Sequence, residues 1–468
     1  MGFTVDMCMH HLSSHRPLHA PRFAPDAHRN GGATVGDSRV PGIGNTGYDA
    51  QHYDATIKVG KDGALDAQSV MTAVATQDLD RFNLDFVGFD IEKVKVNGKE
   101  AKFDREKGEL IIESGGTIKA GEKFSVDVKY DGQPKPFPSK HAPVTLGWNT
   151  FEGGSFVVSE PDGTRGWLPV NDHPTDKATY SFHLTVPKDK VAAANGVLTS
   201  VEEGNETKTF HFEARDPMAS YLSTVHVGDY ISQDSKSAEG VPIRNYFPAD
   251  IAKEAEYDFG RVPEMMSFFA EKFGPYPFES YGNIVMDTNL GGAAALETQT
   301  LPLYDRGIVN GRRGGETVLV HELAHHWFGN SVSPSDWKDI WLNEGLASYS
   351  EALWAEHQGG PEALARRLQR AEATVRLYGA NEPIGEPRAD GLFDSKVYQG
   401  GMLAVHALRR ELGDEDFFKT LRSYQERHKN GTASTADLAA IATEISGKEM
   451  KPFFDKWIYS EKLPKVPA

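Results

Sequence analysis

The sequence has 468 residues, a length that suggests two or three domains. Its formal net charge is −17, and its mean hydropathy is negative, as expected for a globular protein. Its one cysteine, Cys8, excludes a disulfide within a single chain and a zinc site built from cysteines. No apolar run approaches the roughly 20 residues that cross a membrane, and no block rich in lysine and arginine forms a basic patch. We therefore expect neither a membrane nor a nucleic acid as a partner.

The first 42 residues are rich in His, Arg, Pro, Gly and Ser and lack both helical and strand periodicity. We interpret residues 1–42 as a disordered tail. It lacks the apolar middle of a secretory signal, so we expect a cytoplasmic location, with a secreted protein as the alternative. Five histidines of the tail could bind a metal loosely: His10, His11, His15, His19 and His28.

Residues 43–237 have the pattern of a β domain. Apolar and polar side chains alternate over 124–130 and 180–186, as on strands that bury one face. Asn97-Gly98 has the composition of a tight hairpin turn. Several short strands with turn residues between them favour an antiparallel sandwich or a saddle-shaped sheet.

Residues 238–468 have mainly helical periodicity, with one strand-like segment at Tyr281–Met286. Glycines mark several helix ends, among them Gly359-Gly360 and Gly413. The fold class is therefore α+β, with an N-terminal sheet domain followed by a mainly helical domain. The predicted helices cover residues 251–273, 316–328, 343–357, 361–378, 400–412, 414–427 and 436–446.

Residues 321–325 read His-Glu-Leu-Ala-His inside one of these helices. Side chains at positions i and i+4 lie on the same helical face, so His321 and His325 can bind one metal ion. Glu322 lies beside the first of them, where its carboxylate can take a proton from a water in an open coordination position. His326 faces away from this side of the helix, and we interpret it as structural.

A third ligand is predicted on the next helix. Glu344 comes nineteen residues after His325 and reaches the metal if a short loop reverses the chain. A His/His/Glu set is typical of catalytic zinc, so we expect one zinc ion per chain. Metal-bound imidazoles usually donate their second N–H to an acceptor, and the candidates here are Glu351 and Asp339.

Two longer stretches, HELAHHWFGN at 321–330 and WLNEGLASY at 341–349, resemble the signatures of the aminopeptidase N family, zinc metallopeptidases of the gluzincin type related to leukotriene hydrolase. The resemblance covers about 45–465. It implies a β-saddle domain followed by a thermolysin-like zinc peptidase domain, in a short two-domain member. Larger members continue into domains that help close the substrate cavity, which implies here a more open site or one closed by another subunit; the oligomeric state is left open.

The resemblance also implies residues that bind the amino group of a substrate. The stretch AALET at 294–298 stands where the family has Gly-Ala-Met-Glu-Asn. Glu297 would then bind the free α-amino group, and Ala294 and Ala295 would line the first subsite. Glu160, in SEPDGTR, matches a second amine-binding acid from the sheet domain.

Tyr398 matches the family tyrosine that stabilises the oxyanion, although the family's Glu-Lys-Gly after it is Gln-Gly-Gly here. The sequence thus predicts a zinc-dependent aminopeptidase acting on peptides with a free N-terminus. A zinc endopeptidase, which needs neither Glu160 nor Glu297, and an epoxide hydrolase with the same metal site stay open. A non-catalytic binder of peptide N-termini is disfavoured because Glu322 is retained.

Overall fold

The computed structural model describes residues 29–379 and 381–467, and the elements given below are those of the described residues. In chain order the strands are β1 (Tyr48–Val59), β2 (Leu65–Ala75), β3 (Leu79–Asp85), β4 (Asp90–Val96), β5 (Lys99–Glu100), β6 (Phe103–Glu106), β7 (Glu109–Ile118), β8 (Lys123–Gly132), β9 (Phe137–Pro138), β10 (Thr145–Phe151), β11 (Gly154–Val158), β12 (Ala178–Pro187), β13 (Val191–Ala194), β14 (Val197–Glu203), β15 (Thr207–Met218), β16 (Val225–Gly228), β17 (Tyr230–Lys236), β18 (Pro242–Pro248), β19 (Tyr281–Val285), β20 (Ala295–Leu296), β21 (Leu303–Tyr304), β22 (Val332–Pro334) and β23 (Gly431–Ala433). The helices are α1 (Ala252–Phe259), α2 (Val262–Phe273), α3 (Glu316–His325), α4 (Trp341–Tyr378), α5 (Gly401–Leu412), α6 (Asp414–His428), α7 (Thr435–Ser446) and α8 (Lys451–Trp457).

An eight-stranded sheet forms the body of the N-terminal part, in the order β14-β15-β12-β1-β2-β8-β4-β5. Its neighbouring strands are antiparallel except β1 and β12, which are parallel. Burial alternates along β2, so one face packs into the core and the other faces outward. The predicted turn is present: Asn97 and Gly98 both have positive φ and join β4 to β5. The predicted β-rich N-terminal domain is confirmed.

Residues 29–42 differ from the predicted disordered tail. Val40 is buried, and the Asp37 carboxylate accepts a hydrogen bond from the backbone N–H of Trp337 at 2.9 Å. Asp37 also lies 3.1 Å from the imidazole Nε2 of His173. Because hydrogen bonds to distant residues hold the segment, such as that of Gly31 N–H to the carbonyl of Arg81 and that of the Ser38 hydroxyl to Asp336, periodicity could not reveal its order. The five tail histidines lie outside the described residues.

A five-stranded sheet, in the order β17-β18-β19-β21-β20, supports the helices of the C-terminal part. β18, β19 and β21 are parallel, and both edge pairs are antiparallel. The predicted boundary at 237/238 falls in the turn between β17 and β18, so in the structure this sheet begins at Tyr230. The helical periodicity starts only after that hairpin, and the boundary at 237/238 stays a prediction.

Helices α1 to α7 lie where helices are predicted and differ from them at their breaks, whereas α8 was not predicted. The predicted helix 251–273 is divided at Gly260 into α1 and α2. The predicted stop at Gly359-Gly360 is a break inside α4, where both glycines leave helical angles. The predicted helix 316–328 ends at His325, and the chain then turns through Gly329, which has a φ of +125°.

Among the described residues, no helix combines the length and the apolar character that crossing a membrane requires.

Candidate metal centre and substrate site

Two consecutive helices bring the predicted metal ligands together. α3 carries His321 and His325 one turn apart, and α4 carries Glu344 in its first turn. All three residues are at most 9% exposed. Leu319, Val320, Leu323 and Ala324 fill the remaining positions around this part of α3 and are buried as well, so the helix is fixed in the core.

The donor atoms of these residues have the spacing that one zinc ion needs. The Nε2 atoms of His321 and His325 lie 3.1 Å and 3.4 Å from the same oxygen, Oε2 of Glu344. Tetrahedral zinc with bonds of roughly 2.0–2.1 Å separates its ligands by about 3.3 Å. The three residues therefore fit a zinc ion, and the donor types are those of a catalytic site.

The other imidazole nitrogens fix the tautomers. Nδ1 of His321 lies 2.8 Å from Oε1 of Glu351, and Nδ1 of His325 lies 3.0 Å from the backbone carbonyl of Phe328. Both acceptors require an N–H at Nδ1, which leaves the lone pair of each Nε2 free to bind a metal ion. Glu351 thus occupies the supporting position proposed for it from the sequence.

Asp339 does not support the metal site. Its carboxylate accepts hydrogen bonds from the hydroxyl of Thr435 at 2.5 Å and from the backbone N–H of Thr435 at 3.3 Å, at the start of α7. The prediction for Asp339 is wrong because Glu351 and Phe328 already accept the two imidazole protons. Through these hydrogen bonds, Asp339 instead links the loop that precedes α4 to the first residue of α7.

His326 has the surroundings of a structural residue. Its Nδ1–H donates to the carbonyl of Glu322, and its Nε2 accepts the N–H of Thr300, each at 3.1 Å. Burial lowers its pKa to about 3, so the ring stays neutral. The imidazole packs between the rings of Tyr276 and Tyr281, away from the metal ligands.

Glu322 borders a cavity of about 460 Å³ that also exposes the three ligands. Burial raises its pKa to about 7, against the opposing effect of His321 and His325. A carboxylate with a pKa near neutrality can accept a proton and return it. The position and the pKa both suit the predicted general base.

Glu160 and Glu297 face the same cavity from the two halves of the chain. Glu160 follows β11 of the N-terminal part, and Glu297 follows β20. In each side chain, Oε1 is buried and has no hydrogen-bond partner among the described residues. Burial raises the pKa of both carboxyls, and Glu297 adds to the effect at Glu160. Buried carboxylates without partners are costly, so this pair favours a bound cation.

Ala294 and Ala295 lie on the wall of the cavity. Ala295 pairs with Tyr304 in β21, and the carbonyl of Ala294 accepts the N–H of Asp305 at 2.8 Å. β20 is the edge of its sheet, and an edge strand can pair with an extended peptide through backbone hydrogen bonds. That these alanines border the first subsite stays a prediction.

Tyr398 lies over the metal ligands. Its ring stacks on the imidazole of His321, with centroids 5.8 Å apart and planes 14° apart. Burial, followed by the charge of Glu344, raises its pKa well above the usual value, so its hydroxyl keeps the proton and can donate it in a hydrogen bond. Tyr398 belongs to a π-helical turn, Lys396–Gly400, directly before α5.

Sequence reasoning missed other side chains of the cavity wall. Arg367 and Phe393 border it from the C-terminal part, and Pro143 and Val144 border it from the N-terminal part. No motif marks Phe393, Pro143 or Val144. Arg367 follows the break in α4, and only the direction of the chain after that break brings it to the site.

A β-rich domain in front of a helical domain, with a His/His/Glu donor set and a carboxylate beside it, defines the class of zinc metallopeptidases. The model of the peptidase M1 N-terminal domain matches residues 49–222, and the model of the peptidase family M1 domain matches residues 257–457. The chain belongs to peptidase family M1. The zinc prediction is confirmed by this family and by the donor set.

Relatives support the same assignment. Aminopeptidase 2 of Candida albicans is 26% identical over 445 residues, which are 89% of this chain and 47% of that protein. Aminopeptidase N of Lactococcus lactis is 31% identical over 331 residues, which are 64% of this chain and 38% of that protein. This chain thus spans less than half of the length of these curated relatives.

Solved structures match nearly the whole chain. The M1 zinc metallopeptidase of Deinococcus radiodurans is 32% identical and superposes with a TM-score of 0.86, covering 93% of this chain and 99% of that one. A mutant of that enzyme was crystallised with a Tyr-Ser-Ala substrate.

Proposed function

We propose that the protein is a zinc-dependent aminopeptidase that removes residues from the amino terminus of peptides. The observation that carries the proposal is the pair of buried, unpartnered carboxylate oxygens of Glu160 and Glu297 beside the metal ligands. Carboxylate oxygens of Glu160, Glu297 and Glu344 lie within 4.8 Å of one another. An α-ammonium group bound by the first two would therefore hold the first peptide bond of a substrate next to the metal.

Each residue of the site has a separate task in the proposed reaction. Zinc, when bound by His321, His325 and Glu344, supplies Lewis-acid activation of water and of the scissile carbonyl. Glu322 takes a proton from the attacking water and delivers it to the leaving amine. The hydroxyl of Tyr398 donates a hydrogen bond to the oxyanion that develops at the carbonyl.

The proposed substrates are peptides with a free N-terminus. An endopeptidase would leave Glu160 and Glu297 without a cationic partner, so the site favours exopeptidase action. The names of the curated relatives and the tripeptide bound to the Deinococcus enzyme support a peptide as the substrate. A cytoplasmic location belongs to the same proposal, because a chain with Cys8 as its one cysteine has no internal disulfide that an oxidising compartment would maintain.

The proposal is tested with a panel of chromogenic aminoacyl amides, each with a free and with an acetylated amino group, in the presence and absence of a chelator. We expect hydrolysis of the free amines only, loss of this activity on chelation, and its return with one equivalent of zinc. Equal hydrolysis of acetylated amides would contradict the aminopeptidase assignment. Activity that survives removal of the metal would contradict the zinc mechanism.

A further inference from the structure

The break in α4 brings two distant side chains together. Arg367 follows Glu351 by sixteen residues, which in an uninterrupted helix would separate them by about 24 Å along the axis. At Gly360 the backbone has φ +65° and ψ −169°, a conformation open to glycine, and Pro361 starts the second half of the helix. The second half therefore turns back, and Arg367 reaches Glu351.

Arg367 and Glu351 form an ion pair at the edge of the cavity. Nη2 of Arg367 contacts Oε2 of Glu351, while the other oxygen of the same carboxylate, Oε1, accepts the Nδ1–H of His321. The Arg367 side chain is 27% exposed and that of Glu351 is 8% exposed. One carboxylate thus connects the guanidinium to a metal ligand.

Among the described residues that border the cavity, Arg367 is the single side chain that is a lysine or an arginine. The other charged groups of that wall are five carboxylates and two metal-binding imidazoles, from Glu160, Glu297, Glu322, Glu344, Glu351, His321 and His325. The mechanism assigns no role to this cation. Nε of Arg367 has no hydrogen-bond partner among the described residues, so the guanidinium acts on Glu351 through the one contact of Nη2 with Oε2 and through its charge.

We propose that Arg367 is a positioning residue for the zinc site: it fixes the carboxylate of Glu351, which in turn fixes the imidazole of His321 with Nε2 directed at the metal. This inference rests on the proposed zinc enzyme. Without Arg367, the Glu351 carboxylate can rotate into the cavity, and His321 loses the acceptor that orients it. Outer partners of metal ligands typically change metal affinity by about 10–100-fold.

The test compares Arg367→Met and Arg367→Lys with Arg366→Met in the full chain. Arg366 is the adjacent residue, 61% exposed, and pairs with Glu362 on the surface. Zinc affinity is measured by competition with a chromogenic chelator, and kcat and KM are measured at several zinc concentrations. We expect Arg367→Met to bind zinc about 10–100-fold more weakly, Arg367→Lys to lose less, and Arg366→Met to match the wild type.

A double-mutant cycle separates positioning from a general effect on folding. Because Arg367 acts through Glu351, adding Arg367→Met to Glu351→Gln should cause no further loss of zinc affinity. The expected loss of kcat in Arg367→Met should disappear at saturating zinc, with KM unchanged. The inference would be overturned if Arg367→Met bound zinc as tightly as the wild type does. It would also be overturned if a raised KM were the single difference between this variant and the wild type. A wild-type chain that binds zinc and leaves peptides intact would instead overturn the proposed function.

Discussion

Glu322 combines a position beside the first metal ligand with a pKa raised by burial to about 7. Glu322→Gln keeps the shape of the side chain and removes its basicity. We expect kcat to fall by roughly 10²–10⁴-fold, while KM and the zinc content of the protein stay at the wild-type level. Steady-state kinetics on an aminoacyl amide and metal analysis check this. Activity within tenfold of the wild type, with zinc bound, would remove Glu322 from the role of general base.

Glu297 is expected to act on the free amine of the substrate and not on the chemistry of the bond. Glu297→Gln replaces a charged partner of the α-ammonium with a neutral one, so kcat/KM for free aminoacyl amides should fall about 10–100-fold. The variant Glu362→Gln is the matched control, because Glu362 is an exposed residue that does not line the cavity. A kcat/KM of Glu297→Gln for free aminoacyl amides equal to that of the Glu362→Gln control would contradict this role.

At this scale the sequence predicts the metal ligands well, because i, i+4 spacing on a helix fixes where two histidines point. It also predicts Glu351, which follows Glu344 by two helical turns. It fails at Asp339, whose partner Thr435 is 96 residues away and depends on where α7 begins. Arg367 was missed for the same reason: its contact depends on the break in α4.

The crossing of α4 and α5 links the ligand Glu344 to Tyr398. The two helices meet at Gly345 and Gly401, where a Cβ added to Gly401 would lie 2.6 Å from the Cα of Gly345. Such a contact involves backbone, which yields less easily than a flexible side chain. The pair of glycines therefore sets the distance between Glu344 and Tyr398.

Substitution at this crossing should separate the helices. Gly401→Ala is expected to lower kcat by about tenfold or more, because Tyr398 moves with α5, and to lower the melting temperature. The control is Gly400→Ala, since Gly400 also has helical angles and its Cβ would meet the side-chain carbon Cδ1 of Ile384 at 3.1 Å. The idea fails if the two variants have the same kcat and melting temperature.

Periodicity in the sequence predicts where helices and strands lie, but it does not predict where helices break or which sheet a strand joins. Helical spacing continues across Gly260, although the chain bends there. The hairpin β17–β18 follows directly on the N-terminal strands, yet it belongs to the sheet of the C-terminal part. Which sheet a strand joins depends on pairing with β19, more than 30 residues later, and local pattern carries no such information.

The two halves of the molecule meet at the loop that follows the zinc motif. Nζ of Lys177 donates to the carbonyls of Asn330 and Ser331 at 2.7 Å and 3.1 Å, and the hydroxyl of Tyr221 donates to the carbonyl of Gly329 at 3.1 Å. The side chain of Asn330 also donates to the carbonyl of Glu297 at 2.7 Å. These contacts join the N-terminal part to the loop after His325 and connect that loop to the backbone of Glu297.

A buried carboxyl pair in the N-terminal part should make stability depend on pH. Burial, and then Glu109, raise the pKa of Asp85 to about 8, and burial raises the pKa of Glu109 to about 7. Both values lie above the unfolded ones, so the folded state holds the protons more tightly. The stabilisation is complete below about pH 4 and is lost as pH rises through about 7 to 8.

Asp85→Asn tests this dependence. Oδ2 of Asp85 accepts the N–H groups of Gly44 and Asp172 and the amide of Asn45, and an amide oxygen can accept the same bonds. Urea unfolding of the wild type should lose on the order of 2 kcal/mol more stability between pH 5 and pH 8 than the variant does. Parallel pH profiles for both proteins would show that the pair is not the cause.

The central claim, that the protein is a zinc enzyme that cleaves from the amino terminus, is tested most directly by mass spectrometry of one peptide incubated with the enzyme. With a free N-terminus, the peptide should lose residues one at a time from that end, and the reaction should stop on chelation. The same peptide with an acetylated N-terminus should stay intact. Internal fragments, or equal cleavage of the acetylated peptide, would contradict the account.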